Sequence, residues 1–222
     1  RDLCINQDVN DLMASIYQTE ISPHTMPVHL GHLNYQPSKL EEAVDKWHHD
    51  TIPLDYVMMV SDPATLSGGG FEYFVGTKME AEELSKQGKT PPRDRVKAPK
   101  FPGPGYAVAL HGNMVVHRGA PLTKPGERIT MVNAYVSMDC LVDDQSRSRD
   151  LIGIDDPAAL YAEWAKHASW RTQNRLQQII DSMAFDQEPD QVLDQLEFAA
   201  NDLLKTINDM KAGPREAQHY EQ

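Results

Sequence analysis

The residues of this chain best suited to chemistry fall in two separated segments. One is Trp47-His48-His49-Asp50; the other is His117-Arg118-Gly119, followed by Gly126-Glu127-Arg128-Ile129-Thr130. They supply two imidazoles (His48 and His117), one carboxylate (Asp50) and one arginine (Arg128). Two imidazoles and a carboxylate on one face of an octahedron hold Fe(II) and leave its other positions open to dioxygen and to a chelating 2-oxo acid such as 2-oxoglutarate.

On extended backbone, residues two apart point the same way, so His48 and Asp50 can grip one ion while His49 faces away as a supporting or packing residue. His117 closes an apolar stretch, and a sheet curled into a barrel would bring it across to the other two. A 2-oxo acid bound through its keto-acid end projects its far carboxylate away from the metal, where a fixed guanidinium can accept it bidentately. Arg128 suits that role: it leads into Ile129-Thr130-Met131-Val132, a segment that reads as buried, and Thr130 shares its strand face.

Several elements must position these groups. Apolar residues at helical spacing predict a helix over Asp8 to Tyr17, capped by Asn6 or Asp8. His24 to Tyr35 reads as extended or irregular, and Ser38-Lys39-Leu40-Glu41 has the form of a capping box opening a short helix that stops before Trp47. Tyr56 to Val60 and Phe71 to Val75 read as neighbouring strands of one sheet, separated by Asp62-Pro63 and Ser67-Gly68-Gly69-Gly70. Lys78 to Gly105, charged and Pro-rich with a helix-like Met79 to Gln87, reads as a surface insertion or lid.

Tyr106 to Leu110, Met114 to His117 and Arg128 to Ser137 read as further strands, the first two joined at a tight hairpin by His111-Gly112-Asn113. Beyond Asp150 the pattern turns helical. Asp156-Pro157 caps a long helix carrying Leu160, Trp164, Ala168, Leu176, Ile179, Ile180 and Met183 on one face. After Glu188-Pro189 a second helix carries Leu193, Leu196, Ala200, Leu203, Ile207 and Met210, ending at Gly213-Pro214. This stripe suits either packing against the sheet or a homodimer seam.

The whole chain sets bounds on function. Its 222 residues suffice for one well-buried core and are too few for two ordinary enzyme domains. With 33 acidic against 21 basic side chains, the formal charge of -12 would repel a phosphate backbone, so no nucleic-acid partner is expected. Cys4 and Cys140 lack the spacing of a zinc knuckle or redox pair, which suggests reduced thiols and a cytoplasmic setting. No membrane partner is expected, because no apolar run approaches the roughly 20 residues of a membrane span. The opening residues do not form a signal peptide, and Arg1 in place of Met leaves room for a preceding segment.

Trp47-His48-His49-Asp50, the Gly-rich turn before Phe71-Glu72-Tyr73-Phe74, the strand into His117-Arg118-Gly119 and the Glu127-Arg128-Ile129 strand resemble the 2-oxoglutarate-dependent Fe(II) dioxygenase superfamily. The likeness is nearest to the phytanoyl-CoA dioxygenase-like branch and covers about Trp47 to Ser137. It implies a mainly β fold with flanking helices. Within one catalytic domain spanning 1–222, a double-stranded β-helix (jelly-roll) core at about 47–137 would sit with a C-terminal helical hairpin at about 156–212 packed on or beside it. It also implies His48, Asp50 and His117 as the catalytic iron ligands, Arg128 and Thr130 on 2-oxoglutarate, and Fe(II), 2-oxoglutarate and O2 as the working set. The reaction so implied is oxidation of a C–H bond by hydroxylation, desaturation or oxidative cyclisation, with decarboxylation of 2-oxoglutarate to succinate. Asp50 disfavours halogenation, because the halogenases of this superfamily carry a small residue in place of the carboxylate.

Substrate contacts are expected from strand faces looking into such a barrel: Tyr56, Met58, Phe71, Tyr73, Asn133 and Tyr135, with Arg118 available for a carboxylate or for an ordinary surface ion pair. The acidity favours a small metabolite, such as an amino acid or a secondary-metabolism intermediate, over an anionic macromolecule. Two other readings use the same residues. His111 and the His48-His49 pair would also suit a zinc-dependent hydrolase, and a metal-free jelly-roll binding module would leave a buried Arg128 without a purpose.

Overall fold

The computed structural model of the protein describes residues 2–36, 40, 42–139, 142–144, 146, 148–153 and 155–221. Helix α1 (Gln7–Tyr17) begins where the Asn6 side chain accepts the Val9 amide, so the first of the two candidate caps is the one used. The strands are β1 (Ile21–Pro23), β2 (His32–Tyr35), β3 (Leu54–Met59), β4 (Phe71–Phe74), β5 (Val96–Lys97), β6 (Ala107–Leu110), β7 (His117–Gly119) and β8 (Ile129–Ser137). Helix α2 (Lys78–Lys86) lies between β4 and β5, and α3 (Pro157–Ser182) and α4 (Pro189–Ala212) form a helical pair at the C-terminal end. No helix among the described residues is long and apolar enough to cross a membrane.

All strand pairings are antiparallel. The longest strand, β8, carries β3 on one edge and both β1 and β2 on the other, and β6 extends the sheet beyond β3. A second, three-stranded sheet has the order β5-β4-β7. The two sheets meet in a core where Val57 of β3 and Leu110 of β6 pack with Phe71 of β4. On its other face the large sheet is covered by α1, where Met13 packs with Leu54, Tyr56 and Tyr135. The outer side of the small sheet buries Phe74 with Trp47, Val116, Ala81 of α2 and Tyr220.

Four expectations need correction. Strands β3 and β4 belong to different sheets, because β3 finds both its partners in β6 and β8. The Gly112-Asn113 turn joins no hairpin: the chain leaves β6 in the large sheet, closes a turn with Met114 and Val115 amides on the His111 carbonyl, and enters the small sheet at β7, which starts only at His117. The segment after Lys78 is integral to the small sheet. Thr77 and Glu80 form a capping box at α2, Ala81 is fully buried, β5 pairs with β4, and Arg95 stacks on Phe74 while pairing with Glu80. The capping-box residues Ser38, Lys39 and Glu41 lie outside the described residues, and Glu42 to Lys46 bends without forming a helix.

Of the two cysteines, Cys4 is a buried free thiol, and Cys140 lies outside the described residues. Asp156 caps α3 and accepts the Ala158 amide, with Pro157 at the first helical position. Leu160 and Trp164 pack with Met26 and Ile152. His167, also on α3, donates from Nε2 to Asp144 at 2.5 Å and meets the Thr25 hydroxyl at Nδ1 at 2.6 Å. Helix α4 packs on α3, and Leu193, Leu196, Leu203 and Ile207 along it are exposed.

Candidate metal centre

The main chains of His48 and His117 bond to each other in both directions, at 3.0 and 2.8 Å, forming an isolated antiparallel bridge at the start of β7. This pairing sets their rings side by side, with centroids 4.4 Å apart. Two residues on from His48, the Asp50 amide donates to the Gly112 carbonyl at 2.8 Å, which turns its side chain to the same side. His49 faces away, its Nδ1 hydrogen-bonded to the Tyr220 hydroxyl at 2.8 Å.

Ligand atoms of His48, Asp50 and His117 all lie within 4.8 Å of one another. Each imidazole is aimed from behind: Nδ1 of His48 donates to the Lys46 carbonyl at 2.7 Å, and Nδ1 of His117 donates to the Val115 carbonyl at 2.9 Å. A ring held in this way turns Nε2 into the site, which is how metal-binding histidines are oriented. The two Nε2 atoms lie 3.4 and 3.5 Å from the oxygens of Asp50, too far for good hydrogen bonds, and Asp50 Oδ2 is buried beside the Asp55 carboxyl. A carboxylate whose two oxygens each face one imidazole Nε2 at such a distance fits a cation in the middle.

Electrostatics point the same way. Burial opposes charge on all three groups. For Asp50, the neighbouring His117 and His48 outweigh burial and hold the carboxyl well below the usual range. Burial is likewise outweighed at His48, where the close contact with Asp50 and the charges of Asp45 and Asp50 push the imidazole up to about 9, so that without a metal it carries the proton an ion would displace. For His117 burial prevails and the imidazole is pushed down. The cluster thus keeps an ionised carboxylate with one positive charge beside it, the place a divalent ion would take.

Arg128 stands just before β8 and is 2 % exposed. Its Nε donates to the Gly69 carbonyl at 2.6 Å, one Nη lies 3.4 Å from the Thr130 hydroxyl, and its own amide donates to Gln36. Among the described residues no carboxylate comes within ion-pairing distance of its guanidinium. Arg128, Thr130, the His/Asp/His cluster and Phe71 line one cavity of about 360 Å³.

The structure places the remaining candidates elsewhere. Tyr56, Asn133 and Tyr135 lie on the α1 side of the large sheet, where the tyrosines pack on Met13 and Asn133 donates to the Cys4 carbonyl. The period of two along β3 and β8 turns Val57, Thr130 and Val132 to the cavity instead. Met58 packs with that same outer cluster. Tyr73 packs in the core between the sheets, outside the cavity wall. Arg118 points away from the cavity, paired with Glu72 at 2.8 Å and lying over the Trp47 ring. His111 packs edge-on against Tyr17.

Sequence reasoning missed Asp45, which lies 3.4 Å from His48 Nε2, and His29 and His219, which also line the cavity. It also missed Asp55, whose fully buried carboxyl meets Gly112 beside Asp50. An acidic residue two before the His-x-Asp triplet's Trp is a weak signal, and nothing in the tail marks His219 as part of the site.

No protein-family model matches the chain, and no curated protein matches it. Among solved structures it is similar to a chain described as "Non-heme monooxygenase, ThoJ-Ni complex", at a TM-score of 0.45 and 14% identity, over 79% of this chain and 74% of that one. Likeness of that degree carries no argument about fold or reaction.

Proposed function

We propose that the protein is a non-haem Fe(II)- and 2-oxoglutarate-dependent oxygenase that oxidises a C–H bond of a small metabolite. The observation that carries this reading is the buried Arg128 guanidinium, which has no carboxylate within ion-pairing distance among the described residues and opens into the same cavity as His48, Asp50 and His117. Burial works against its charge and the Asp45 carboxylate offsets that only from a distance, so an anion that arrives to meet the guanidinium directly is favoured. A dicarboxylate able to chelate a metal at one end and meet Arg128 at the other answers both needs.

His48, Asp50 and His117 would hold the iron, whose chemistry when bound is the activation of O2 coupled to decarboxylation of 2-oxoglutarate to succinate. The Lys46 and Val115 carbonyls hold the two Nδ1–H groups, so each Nε2 faces the site and can give its lone pair to the ion once the ion displaces any proton there. Arg128 binds the far carboxylate of the co-substrate, and the Gly69 carbonyl fixes the plane of its guanidinium while Thr130 adds a hydroxyl. Anchoring one end of the molecule orients the other, which replaces a bimolecular search by a fixed approach. Phe71, Val57, Val132 and Ile52 are among the apolar residues of the wall and limit water around the reacting C–H bond. Two packed antiparallel sheets with the site opening between them support a jelly-roll reading of the core. The acidic surface supports a small-molecule substrate over nucleic acid.

The deciding experiment is anaerobic absorption spectroscopy. A weak visible charge-transfer band should develop only when both Fe(II) and 2-oxoglutarate are present. Tight retention of zinc with no such band would overturn the reading in favour of a zinc hydrolase.

A further inference from the structure

Helix α4 turns the wrong side to its own chain. Its more buried side carries Val192, Phe198, Ala199, Asp202, Thr206 and Met210, and two α3 residues tie it down: Arg175 pairs with Asp202 at 2.8 Å and lies 3.5 Å over the Phe198 ring, and the Tyr161 hydroxyl donates to the Met210 carbonyl at 3.0 Å. The apolar stripe faces solvent. Leu193, Leu196, Leu203 and Ile207 are 57, 48, 38 and 44 % exposed, Ala200 is exposed between them, and Leu204 alongside is 53 % exposed. Leu193, Leu196, Ala200, Leu203 and Ile207 alternate spacings of three and four, the seam of a coiled coil. A contiguous apolar stripe on an otherwise charged helix marks an association surface.

We infer that a second copy of this chain docks on the stripe, α4 against α4 and antiparallel, forming a two-fold homodimer. A two-fold interface requires a surface complementary to itself. With the axis passing between Asn201 and Asp202, Leu196 meets the equivalent of Ile207 and Ala200 meets the equivalent of Leu203, so a small residue faces a large one at the centre. The flanking charges select the direction. Asp190 and Lys211 occupy the same heptad position three heptads apart, both are exposed, and neither has an ion-pair partner among the described residues. Antiparallel pairing sets Asp190 beside Lys211 of the other copy at both ends, whereas parallel pairing would set like charges level with each other. Antiparallel helix dipoles also attract.

No α4 residue lines the metal cavity, so association can be broken without touching the site. Sedimentation velocity on the full chain, from micromolar to hundred-micromolar concentration, should show a species of twice the 25.0 kDa chain mass. Leu196→Glu combined with Leu203→Glu should give a monomer with an unchanged circular-dichroism spectrum and unchanged Fe(II) affinity. Lys211→Glu should raise the dimer dissociation constant about threefold to tenfold through loss of two equivalent exposed pairs. Adding Asp190→Lys should restore it. Should the leucine variant fail to fold, this exposed charge swap still decides. A monomeric wild type across that range, a dimer that survives the leucine variant, or a charge swap that does not restore association would each overturn the inference.

Discussion

The bridge between His48 and His117 is made by their main chains, at 3.0 and 2.8 Å in the two directions, so the feature that sets these two candidate ligands side by side does not depend on the imidazoles. His117→Ala should therefore keep the β7 pairing and fold while removing one of three ligands. Iron-dependent succinate formation should fall to background, and the far-ultraviolet spectrum should match that of the wild type. Turnover retained in the variant would show that another residue holds the metal.

Arg128 depends on Gly69 in two ways. The Gly69 carbonyl accepts its Nε, and the missing side chain gives it room, since a Cβ there would lie 3.0 Å from Arg128 Cδ and 2.8 Å from Leu122 Cδ2, at a φ of +71°. Arg128→Gln should weaken 2-oxoglutarate binding about a hundredfold, the loss of a charge-assisted bidentate contact, with Fe(II) affinity little changed. Gly69→Ala should reproduce part of that loss, about tenfold, by displacing a guanidinium that is still present. Titration of the charge-transfer band reads both, and unchanged affinity in Arg128→Gln would sink the anchoring role.

His24 and His29 are buried side by side, their rings 4.5 Å apart, near Asp144 and His167. Burial, reinforced by the charges of neighbouring histidines, pushes His24 well below the ordinary imidazole range and His29 down to about 4. Both are then neutral in the folded protein but take up protons near pH 6.5 when unfolded. Stability is therefore lost as pH falls from about 6.5 towards 4, by roughly 3 kcal/mol from His29 alone. Asp144 acts lower on the scale. Burial would raise its carboxyl, but the hydrogen bond and charge of His167 hold it far down, so its contribution is lost only below the ordinary carboxylate range. Urea midpoints between pH 7.5 and 4 should fall steadily, and His29→Gln should flatten the upper part of the slope; a flat wild-type profile would contradict buried neutral imidazoles.

Much of this architecture was legible from local pattern. The helical spacing of Val9, Leu12, Met13 and Ile16, the Asp156-Pro157 cap and the apolar runs of β3, β4 and β8 each mark an element that forms close to its expected bounds. The juxtaposition of His48, Asp50 and His117 was also foreseeable, since it needs only a two-residue repeat and one long-range pairing. Sheet membership was not, because Gly112-Asn113 looks like a hairpin turn whether the next strand pairs with the last or crosses to another sheet. Facing was ambiguous too. Along β3 and β8 both faces are apolar, so the aromatic set Tyr56 and Tyr135 looked suited to a substrate, yet α1 covers that side with Met13 and Tyr17. Asp55 could not be weighted either: an acidic residue in an apolar strand gains meaning only when Gly112 brings it up to Asp50.

Gly112 touches both carboxyls, since a Cβ there would fall 2.0 Å from Asp55 Oδ2 and 2.9 Å from Asp50 Oδ2. Burial, and then the negative charge of Asp50, raise the Asp55 carboxyl well above its ordinary value, so Asp55 is a neutral acid in the folded protein and an ionised one when unfolded. A raised carboxyl contributes its stability below the unfolded value near 4 and loses it as pH rises towards the folded value. Asp55→Asn keeps the shape and the neutrality without that pH-dependent cost. In the metal-free protein the variant should melt higher than the wild type at pH 8, and the difference should vanish towards pH 4. An Asn variant destabilised equally at both ends would mean that Asp55 is ionised in the native state and balanced by a positive charge. Iron affinity separates the two cases again, because a neutral Asp55 only supports Asp50, and its amide replacement should leave Fe(II) binding within about tenfold of the wild type.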